Sequence, residues 1–292
     1  MSSSRFCWVW KNKPNNKQGG KVTENSLQQD VLLHEQHGHI GLITFNRPEQ
    51  RNALSPQLLR QLCKVLADWA ACGEIRVVIF TGAGDKAFSA GYDIGAIETV
   101  GPGHKEKKAD GGSATPFEQA LREVRNFPYP TIAMINGHCF GGALHLALCC
   151  DLRIAADHIS MGMPPARLGV VYGPDGLLEF IQVLGSARAR ELLFTGRPYR
   201  GQEIIEMGLV RYLVPGEALE NTVFALANEI AANAPLALKG MKRIMNMVEA
   251  PDFSDELKAE ARKLVAEGFA SADLKEGQRA FLEKRKPVFT GK

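Results

Sequence analysis

The run GHCFGGALHLALCCD, which follows Asn136, constrains the fold of this chain more than any other stretch. It lies between two short apolar runs, 131–135 and 152–156, that are typical of buried strands. The glycine pair Gly141–Gly142 precedes an apolar series, so the run predicts a buried segment that begins at a glycine turn. A single imidazole, His145, interrupts the apolar series about one helical turn after the glycines.

Strand and helix patterns alternate along the rest of the chain. Two short strands are expected around a turn at His37-Gly38, and the next helix has Ser55 as its N-cap and Pro56 at its first position. Further helices are expected over 117–126 and 174–184. The alternation predicts an α/β fold.

Three regions follow from these patterns. Strand–strand–helix units without sequence self-similarity fill residues 30–215, and amphipathic helices fill most of 216–292. Residues 1–29 are rich in Ser, Asn, Lys and Gly and predict a mobile extension, as does the polar, glycine-rich stretch 101–114.

Composition excludes several classes of function. A formal net charge of +3 over 292 residues is too balanced to indicate a nucleic-acid partner. No apolar run approaches the roughly 20 residues that span a bilayer, so no membrane partner is expected. The six cysteines form no CxxC pair, which disfavours a zinc site or a disulfide framework, and no secretory pattern is seen. These features predict a cytoplasmic protein.

Two glycine-containing turns carry the same local physics. One is FSAGYD, which ends at Asp93, and the other is GHCFGG, which ends at Gly142; each follows a predicted strand. Glycine lets the backbone approach a ligand, and a helix N-terminus leaves N–H groups unpaired. Two such N–H groups converging on a carbonyl oxygen would form an oxyanion hole. The alternative is that both are ordinary connections between strands and helices.

Five motifs together resemble a known family. NRPEQRNALS, AFSAGYDI, INGHCFGGALHLALCCDLRIA, LGVVYGPDG and FTGRPYRGQEIIEMGLV occur in the order and spacing of the enoyl-CoA hydratase/isomerase (crotonase) superfamily, over about residues 30–290. The resemblance implies a spiral of ββα units and a C-terminal helical region that assembles homotrimers or homohexamers. It also implies an acyl thioester of coenzyme A as substrate, with no tightly bound cofactor and no metal.

The resemblance also assigns residues. The oxyanion-hole N–H groups match Tyr92 and Gly142. A basic residue of the terminal FLEKRKPVFTGK, Lys284 or Arg285, would reach the coenzyme A phosphates or adenine, although a solvated basic terminus is the alternative. The expected coenzyme A contacts are Arg47, Arg51, Ala53, Ala90, Asp93, Ile94 and Lys284.

The chain departs from the family's hydratases at both proton-transfer positions. Those enzymes use two glutamates, and the matching residues here are His145 and Pro165. Proline cannot move a proton, so hydration by two carboxylates is not expected. An imidazole ordinarily titrates near pH ~6.5, which suits proton transfer at neutral pH. His145 is therefore either an acid–base residue or a core histidine bonded to a backbone carbonyl.

A decarboxylase subgroup fits the remaining motifs better. SAGYDI is similar to its SAGHDI, with Tyr92 in place of the histidine, and MPPARLGVVYGPDG and FLEKRKPVFTGK resemble its segments. Loss of carbon dioxide from a malonyl-type ester needs mainly an oxyanion hole, worth ~3 kcal/mol per donor. A fixed carboxylate would repel the carboxylate of such a substrate. Tyr172 would orient that carboxylate or simply line the acyl pocket, and His145, Tyr92 or water would protonate the enolate.

Two acidic residues and two other functions stay open. Asp175 would serve as the base of an isomerase or unusual hydratase, or as the cap of a helix that starts near Gly176. Glu179, one turn further, has less reason to face the pocket. Decarboxylation of a malonyl-type ester is the leading hypothesis. The alternatives are an enoyl-CoA or cyclic dienoyl-CoA hydratase or isomerase with unusual acid–base residues, and a catalytically quiet protein that binds coenzyme A esters.

Overall fold

The first helix begins at the cap that the sequence predicts. In the computed structural model, which describes residues 30–93, 115–168, 170–249 and 254–292, α1 covers Pro56–Cys72. The side chain of Ser55 accepts the N–H of Leu58, and Gly73 ends the helix in the left-handed region. These signals are local, so the sequence alone fixes both ends of α1.

The larger sheet of the described residues has six strands in the order β1-β2-β3-β5-β7-β10. β1 and β2 form the antiparallel hairpin expected there, and the later neighbours pair in parallel. The strands are β1 (Leu32–His37), β2 (Ile40–Phe45), β3 (Val77–Gly82), β5 (Thr131–Ile135), β7 (Leu152–Ala156) and β10 (Tyr212–Val214).

A smaller sheet brings the two glycine turns to the same edge, because the strands that precede them are parallel neighbours. Its order is β4-β6-β8-β9 in the described part of the chain, and β4, β6 and β8 are parallel. Parallel neighbours end at the same edge of a sheet, so the segments after β4 and β6 leave side by side. The strands are β4 (Ala87–Ser89), β6 (His138–Phe140), β8 (Ser160–Gly162) and β9 (Pro198–Arg200), the last antiparallel to β8.

The helices around the sheets differ in burial. α3 (Gly142–Cys149) follows β6 directly, and all eight of its residues are buried. α2 (Pro116–Arg125) starts at a capping box formed by Thr115 and Glu118, and α4 (Pro174–Leu184) packs against α3. The remaining helices of this part are α5 (Ser186–Thr195) and α6 (Gln202–Glu206).

A helical layer completes the described chain. It consists of α7 (Leu219–Ala231), α8 (Pro235–Val248), α9 (Asp255–Ala270) and α10 (Ala272–Leu282). The buried ammonium of Lys242 on α8 donates to Asp151 at 2.6 Å and to the carbonyl of Tyr129 at 3.0 Å. This pair holds α8 against the strands, since the buried Lys242 ammonium would be costly without its partner.

The predicted α/β class is confirmed. The predictions for residues 1–29 and 101–114 lie outside the described residues, and the boundary at residues 215/216 stays a prediction. No described helix combines the length and the apolar character needed to cross a membrane.

Candidate active site

The two glycine turns meet as the sheet topology requires. A Cβ added to Gly142 would lie 3.1 Å from the backbone N of Tyr92, and one added to Gly91 would lie 3.1 Å from the N of Gly142. Gly91 also has a φ of +102°, and its added Cβ would lie 2.7 Å from the carbonyl oxygen of Phe140. Only glycine permits this close approach of two backbones.

Both N–H groups at this contact lack a backbone acceptor in the part of the chain that the structure describes. Gly142 is the first residue of α3, so its N–H has no partner within the helix. On the other turn, Leu54 N donates to Gly91 O and Asp93 N donates to Leu54 O. Tyr92 N, which lies between these two bonds, takes part in neither of them. Within the described residues, no bond from Tyr92 N or Gly142 N is seen. Their use as an oxyanion hole stays a prediction that this geometry permits.

His145 is held by a carboxylate that the sequence did not indicate. Its Nε2 lies 2.6 Å from Oε2 of Glu179, on the second turn of α4. The expectation that Glu179 has little reason to face the pocket is therefore wrong. α4 begins at Pro174 rather than near Gly176, and its contact with α3 turns Glu179 inward.

This contact determines which nitrogen of His145 is available. An ionised carboxylate only accepts hydrogen bonds, so Nε2 carries the proton and Nδ1 of the neutral ring is left with a lone pair. Nδ1 is buried and has no hydrogen-bond partner among the described residues. The imidazole is thus not a core histidine bonded to a carbonyl, and its free nitrogen can take up or deliver a proton.

Glu179 is kept ionised by its neighbours. Burial acts to raise the pKa of Glu179, but the hydrogen bond from His145 and the charge of Arg125 act against it, and the pKa lies below its usual range. Arg125 Nη1 is 3.5 Å from Oε1 of Glu179. The thiol of Cys149 also donates to Oε2, and burial raises its pKa well above the ordinary value.

Aromatic rings enclose the imidazole. The ring centroid of His145 lies 5.9 Å from that of Phe117, 5.6 Å from that of Tyr172 and 5.0 Å from that of Phe180. Phe117 also contacts Tyr92, at 5.6 Å between centroids, and would lie 3.0 Å from a Cβ on Gly142. The glycine contact and the imidazole therefore border the same aromatic wall.

Tyr92 and Tyr172 both retain their phenolic protons. Burial raises the pKa of Tyr92, with a contribution from Asp93, and burial likewise raises the pKa of Tyr172. The Oη of Tyr92 is buried without a hydrogen-bond partner in the described chain. Each hydroxyl is therefore a donor at neutral pH.

Asp175 does not cap α4. The N-cap is Gly173, and Asp175 lies exposed within the first turn, so the capping expectation is wrong. No contact between Asp175 and the His145–Glu179 pair is found in the described residues, and its role as a base stays a prediction. Pro165 is buried in the short helical turn Pro165–Leu168.

Most of the expected coenzyme A contacts share one loop cluster. Arg47 pairs with Asp93 at 3.0 Å and donates to the carbonyl of Ala53 at 2.7 Å, while Ala90 N donates to the carbonyl of Arg51. Lys284 is exposed on the tail after α10, and its neighbour Arg285 pairs with Glu276. Ile94 lies outside the described residues. Binding of coenzyme A by these residues stays a prediction.

A metal ion is disfavoured at the imidazole. Ligand atoms of His145, Cys149 and Glu179 lie within 4.8 Å of one another, a spacing that a metal could bridge. The guanidinium of Arg125 next to Glu179 opposes a second positive charge, and the expectation of no metal stays a prediction.

The sequence reasoning missed three residues of this site: Glu179, Arg125 and Phe117. Glu179 is the one acid in the apolar series GLLEFIQVL, but an acid on a half-exposed helix is common and carried only a weak signal. Arg125 and Phe117 lie on an ordinary amphipathic helix, where charged and aromatic residues are common.

Comparisons with known proteins agree with one another. Residues 35–292 match the family described as enoyl-CoA hydratase/isomerase. A short-chain-enoyl-CoA hydratase of Clostridium acetobutylicum is 32% identical over 89% of this chain and 97% of its own. A carnitinyl-CoA dehydratase of Citrobacter koseri is 34% identical over 90% of this chain and 99% of its own. The crystal structure of an enoyl-CoA hydratase/carnithine racemase from Magnetospirillum magneticum superposes with a TM-score of 0.81, at 35% identity and 91% and 97% coverage.

Proposed function

We propose, from the premise that this chain belongs to the enoyl-CoA hydratase/isomerase family, that it hydrates an enoyl-CoA with His145 as the acid–base residue. The observation that carries this proposal is the imidazole itself. Nδ1 of His145 is buried and unpaired among the described residues, Nε2 is held by Glu179 at 2.6 Å, and the ring lies one helical turn after Gly142.

The proposed reaction adds water across the α,β double bond. Nδ1 of His145 takes a proton from water, the hydroxyl oxygen bonds to the β-carbon, and the electrons move to the thioester oxygen. The N–H groups of Tyr92 and Gly142 stabilise that oxygen, since both donors are in place before charge develops. Nδ1 then returns the proton to the α-carbon, which balances the addition of one water. Glu179 stabilises the imidazolium formed in between.

We propose hydration rather than the decarboxylation expected from sequence because the Glu179 carboxylate lies beside His145. This carboxylate is ionised and contacts the imidazole, so it would repel the carboxylate of a malonyl-type ester. The same group assists hydration. The named relatives quoted above are hydratases or a dehydratase.

Decarboxylation of a malonyl-type ester is the second candidate, and Tyr172 supports it. The Tyr172 ring packs beside His145, and its protonated hydroxyl could donate to a substrate carboxylate. In that reaction the bond from the α-carbon to the carboxylate breaks, carbon dioxide leaves and the electrons form an enolate on the thioester oxygen. His145 as imidazolium, or the Tyr92 hydroxyl, then protonates the α-carbon.

Neither reaction needs a tightly bound cofactor, because coenzyme A enters as part of the substrate and only protons move. A homotrimer or homohexamer stays the predicted assembly. Activity that survives dialysis against a chelator would agree with the cofactor proposal, and restoration of lost activity by one divalent metal would contradict it.

The deciding experiment is mass spectrometry of coenzyme A esters incubated with the protein. The panel contains crotonyl-CoA, a cyclic dienoyl-CoA, malonyl-CoA, methylmalonyl-CoA and ethylmalonyl-CoA. Gain of one water by an enoyl ester, abolished in His145→Gln, is the expected result. Loss of carbon dioxide from a malonyl ester would replace hydration with the second candidate. No change in any ester would overturn both, and detectable binding would then identify a quiet binder.

A further inference from the structure

Arg125, the last residue of α2, joins the His145–Glu179 pair on the second oxygen of the carboxylate. Its Nη1 lies 3.5 Å from Oε1 of Glu179, whereas Oε2 contacts Nε2 of His145. The three groups thus form a line of cation, carboxylate and imidazole. Arg125 does not contact His145 directly in the contacts found for the described residues, so any effect on the imidazole passes through Glu179.

Other helices hold the Arg125 side chain in this position. Its Nη2 lies 3.0 Å from Oε2 of Glu249 and donates to Oε1 of Gln182 at 3.1 Å, and Asn246 donates to its carbonyl oxygen. The side chain is only 22% exposed. Arg122, one turn earlier on α2, is exposed and offers a natural contrast. Arg125 is therefore a fixed cation rather than a mobile surface residue.

Glu179 favours double protonation of the His145 imidazole, and Arg125 is the nearby cation that opposes this effect. An ionised carboxylate beside an imidazole favours its doubly protonated form, which would occupy Nδ1 and remove the base. Burial keeps the Cys149 thiol and the Tyr172 hydroxyl protonated, so neither adds a negative charge. Among the described residues, the groups that face Glu179 are His145 and Cys149 from α3, Arg125 from α2 and Tyr172 before α4, while Glu249, just after α8, pairs with Arg125 and offsets part of its charge.

We infer that Arg125 is a positioning residue that limits how strongly Glu179 draws a second proton onto His145, and so keeps Nδ1 free at neutral pH. Part of the negative charge of Glu179 is balanced by Arg125, yet the carboxylate still accepts the Nε2 proton and fixes the ring. The inference rests on the proposed function, because only a reaction that uses Nδ1 as a base needs this balance.

The first test compares Arg125→Gln with the matched control Arg122→Gln through the pH dependence of kcat/KM. Loss of the Arg125 cation favours the imidazolium. The midpoint of the acid limb of the kcat/KM profile should therefore move to higher pH, by about half a pH unit or more. Arg125→Lys keeps a cation and should show a smaller shift of the acid limb than Arg125→Gln. Arg122→Gln should leave the profile unchanged. A merely structural role would lower kcat without moving the acid side, and that result would overturn the inference.

The second test does not depend on activity. NMR of the protein labelled in its histidine rings, with His145→Gln to assign the signals, reports the protonation of each nitrogen. We expect Nε2 to carry a proton in both proteins, and a larger imidazolium fraction in Arg125→Gln than in the wild type at the same pH. Identical titrations in Arg125→Gln and Arg122→Gln would overturn the inference even if hydration is confirmed. Wild-type turnover in His145→Gln would instead overturn the proposed function and leave this titration result standing.

Discussion

α3 and α4 supply the two halves of the His145–Glu179 pair from opposite kinds of helix. α3 is apolar on all sides and buried at all eight positions, with His145 as its one titratable imidazole. α4 buries Phe180 and Leu184 but exposes part of its apolar surface, including Ile181 at 42%. A polar residue in a fully buried helix stands out in the sequence. The same kind of residue on a half-exposed helix does not, although Glu179 contacts the imidazole directly.

We therefore expect the two helices to contribute different groups to the reaction. In the proposed reaction, α3 contributes the groups that touch the reacting atoms, namely the N–H of Gly142 and Nδ1 of His145, whereas α4 contributes groups that act on His145. Changes on α3 should therefore cost more activity than changes on α4.

One of the two largest effects is expected for Gly142→Pro, which removes an N–H from the start of α3. Proline is tolerated at a first helical position, so the fold should persist. Loss of one donor to an oxyanion typically lowers kcat by ~10²- to 10³-fold. Gly142→Ala keeps the N–H but adds a Cβ 3.0 Å from the Phe117 ring and 3.1 Å from the backbone N of Tyr92, so it measures the cost of the added carbon by itself, and the further loss in Gly142→Pro measures the N–H. Equal kcat values for the two folded variants would argue against the oxyanion hole.

The central comparison is between His145→Gln and Glu179→Gln. Removal of a general base lowers kcat by ~10²- to 10⁴-fold, whereas the amide oxygen that replaces the Glu179 carboxylate can still accept the Nε2 proton, so its variant should lose roughly tenfold. Steady-state kinetics of both variants on the ester identified by mass spectrometry provides the measurement. A larger loss in Glu179→Gln would reverse the proposed order of the helices.

A smaller effect is expected for Gly176→Ala on α4. The added Cβ would lie 2.9 Å from the Tyr172 ring and 3.1 Å from Cε1 of His145, so both rings must shift. We expect a several-fold fall in kcat, because misplacement of a catalytic ring is costly. Gly173→Ala is the control, since nothing lies within 4 Å of its Cβ. Matching kinetics for the two variants would show that the imidazole tolerates displacement.

The smallest effect on hydration is expected for Tyr172→Phe. The ring packing beside His145 is kept, and only the hydroxyl is lost, so hydration should change less than about threefold. Decarboxylation of a malonyl ester, if present, should fall about tenfold or more, because a charged carboxylate loses a donor. Kinetics on both substrate classes separates the two proposals.

Local signals explain what the sequence predicted well. Ser55 and Pro56 fix the start of α1, and the apolar run places α3, because capping and burial act over a few residues. The meeting of Gly91 with Gly142 could be expected once two similar turns followed two strands. Glu179 could not, because its contact with His145 spans 34 residues and depends on how α4 packs and where it begins. Arg125 depends in addition on α8, which is still more distant in the chain.

Two buried polar atoms without partners in the described chain, Oη of Tyr92 and Nδ1 of His145, also bear on thermal stability. Each such atom costs the folded state about 1–3 kcal/mol relative to a satisfied one. We therefore expect the melting temperature to rise when a ligand pairs with both atoms. A ligand that supplies a donor to Nδ1 or an acceptor to the phenol restores the missing bonds as it binds. Melting temperature thus ranks candidate thioesters by fit before any turnover has been seen.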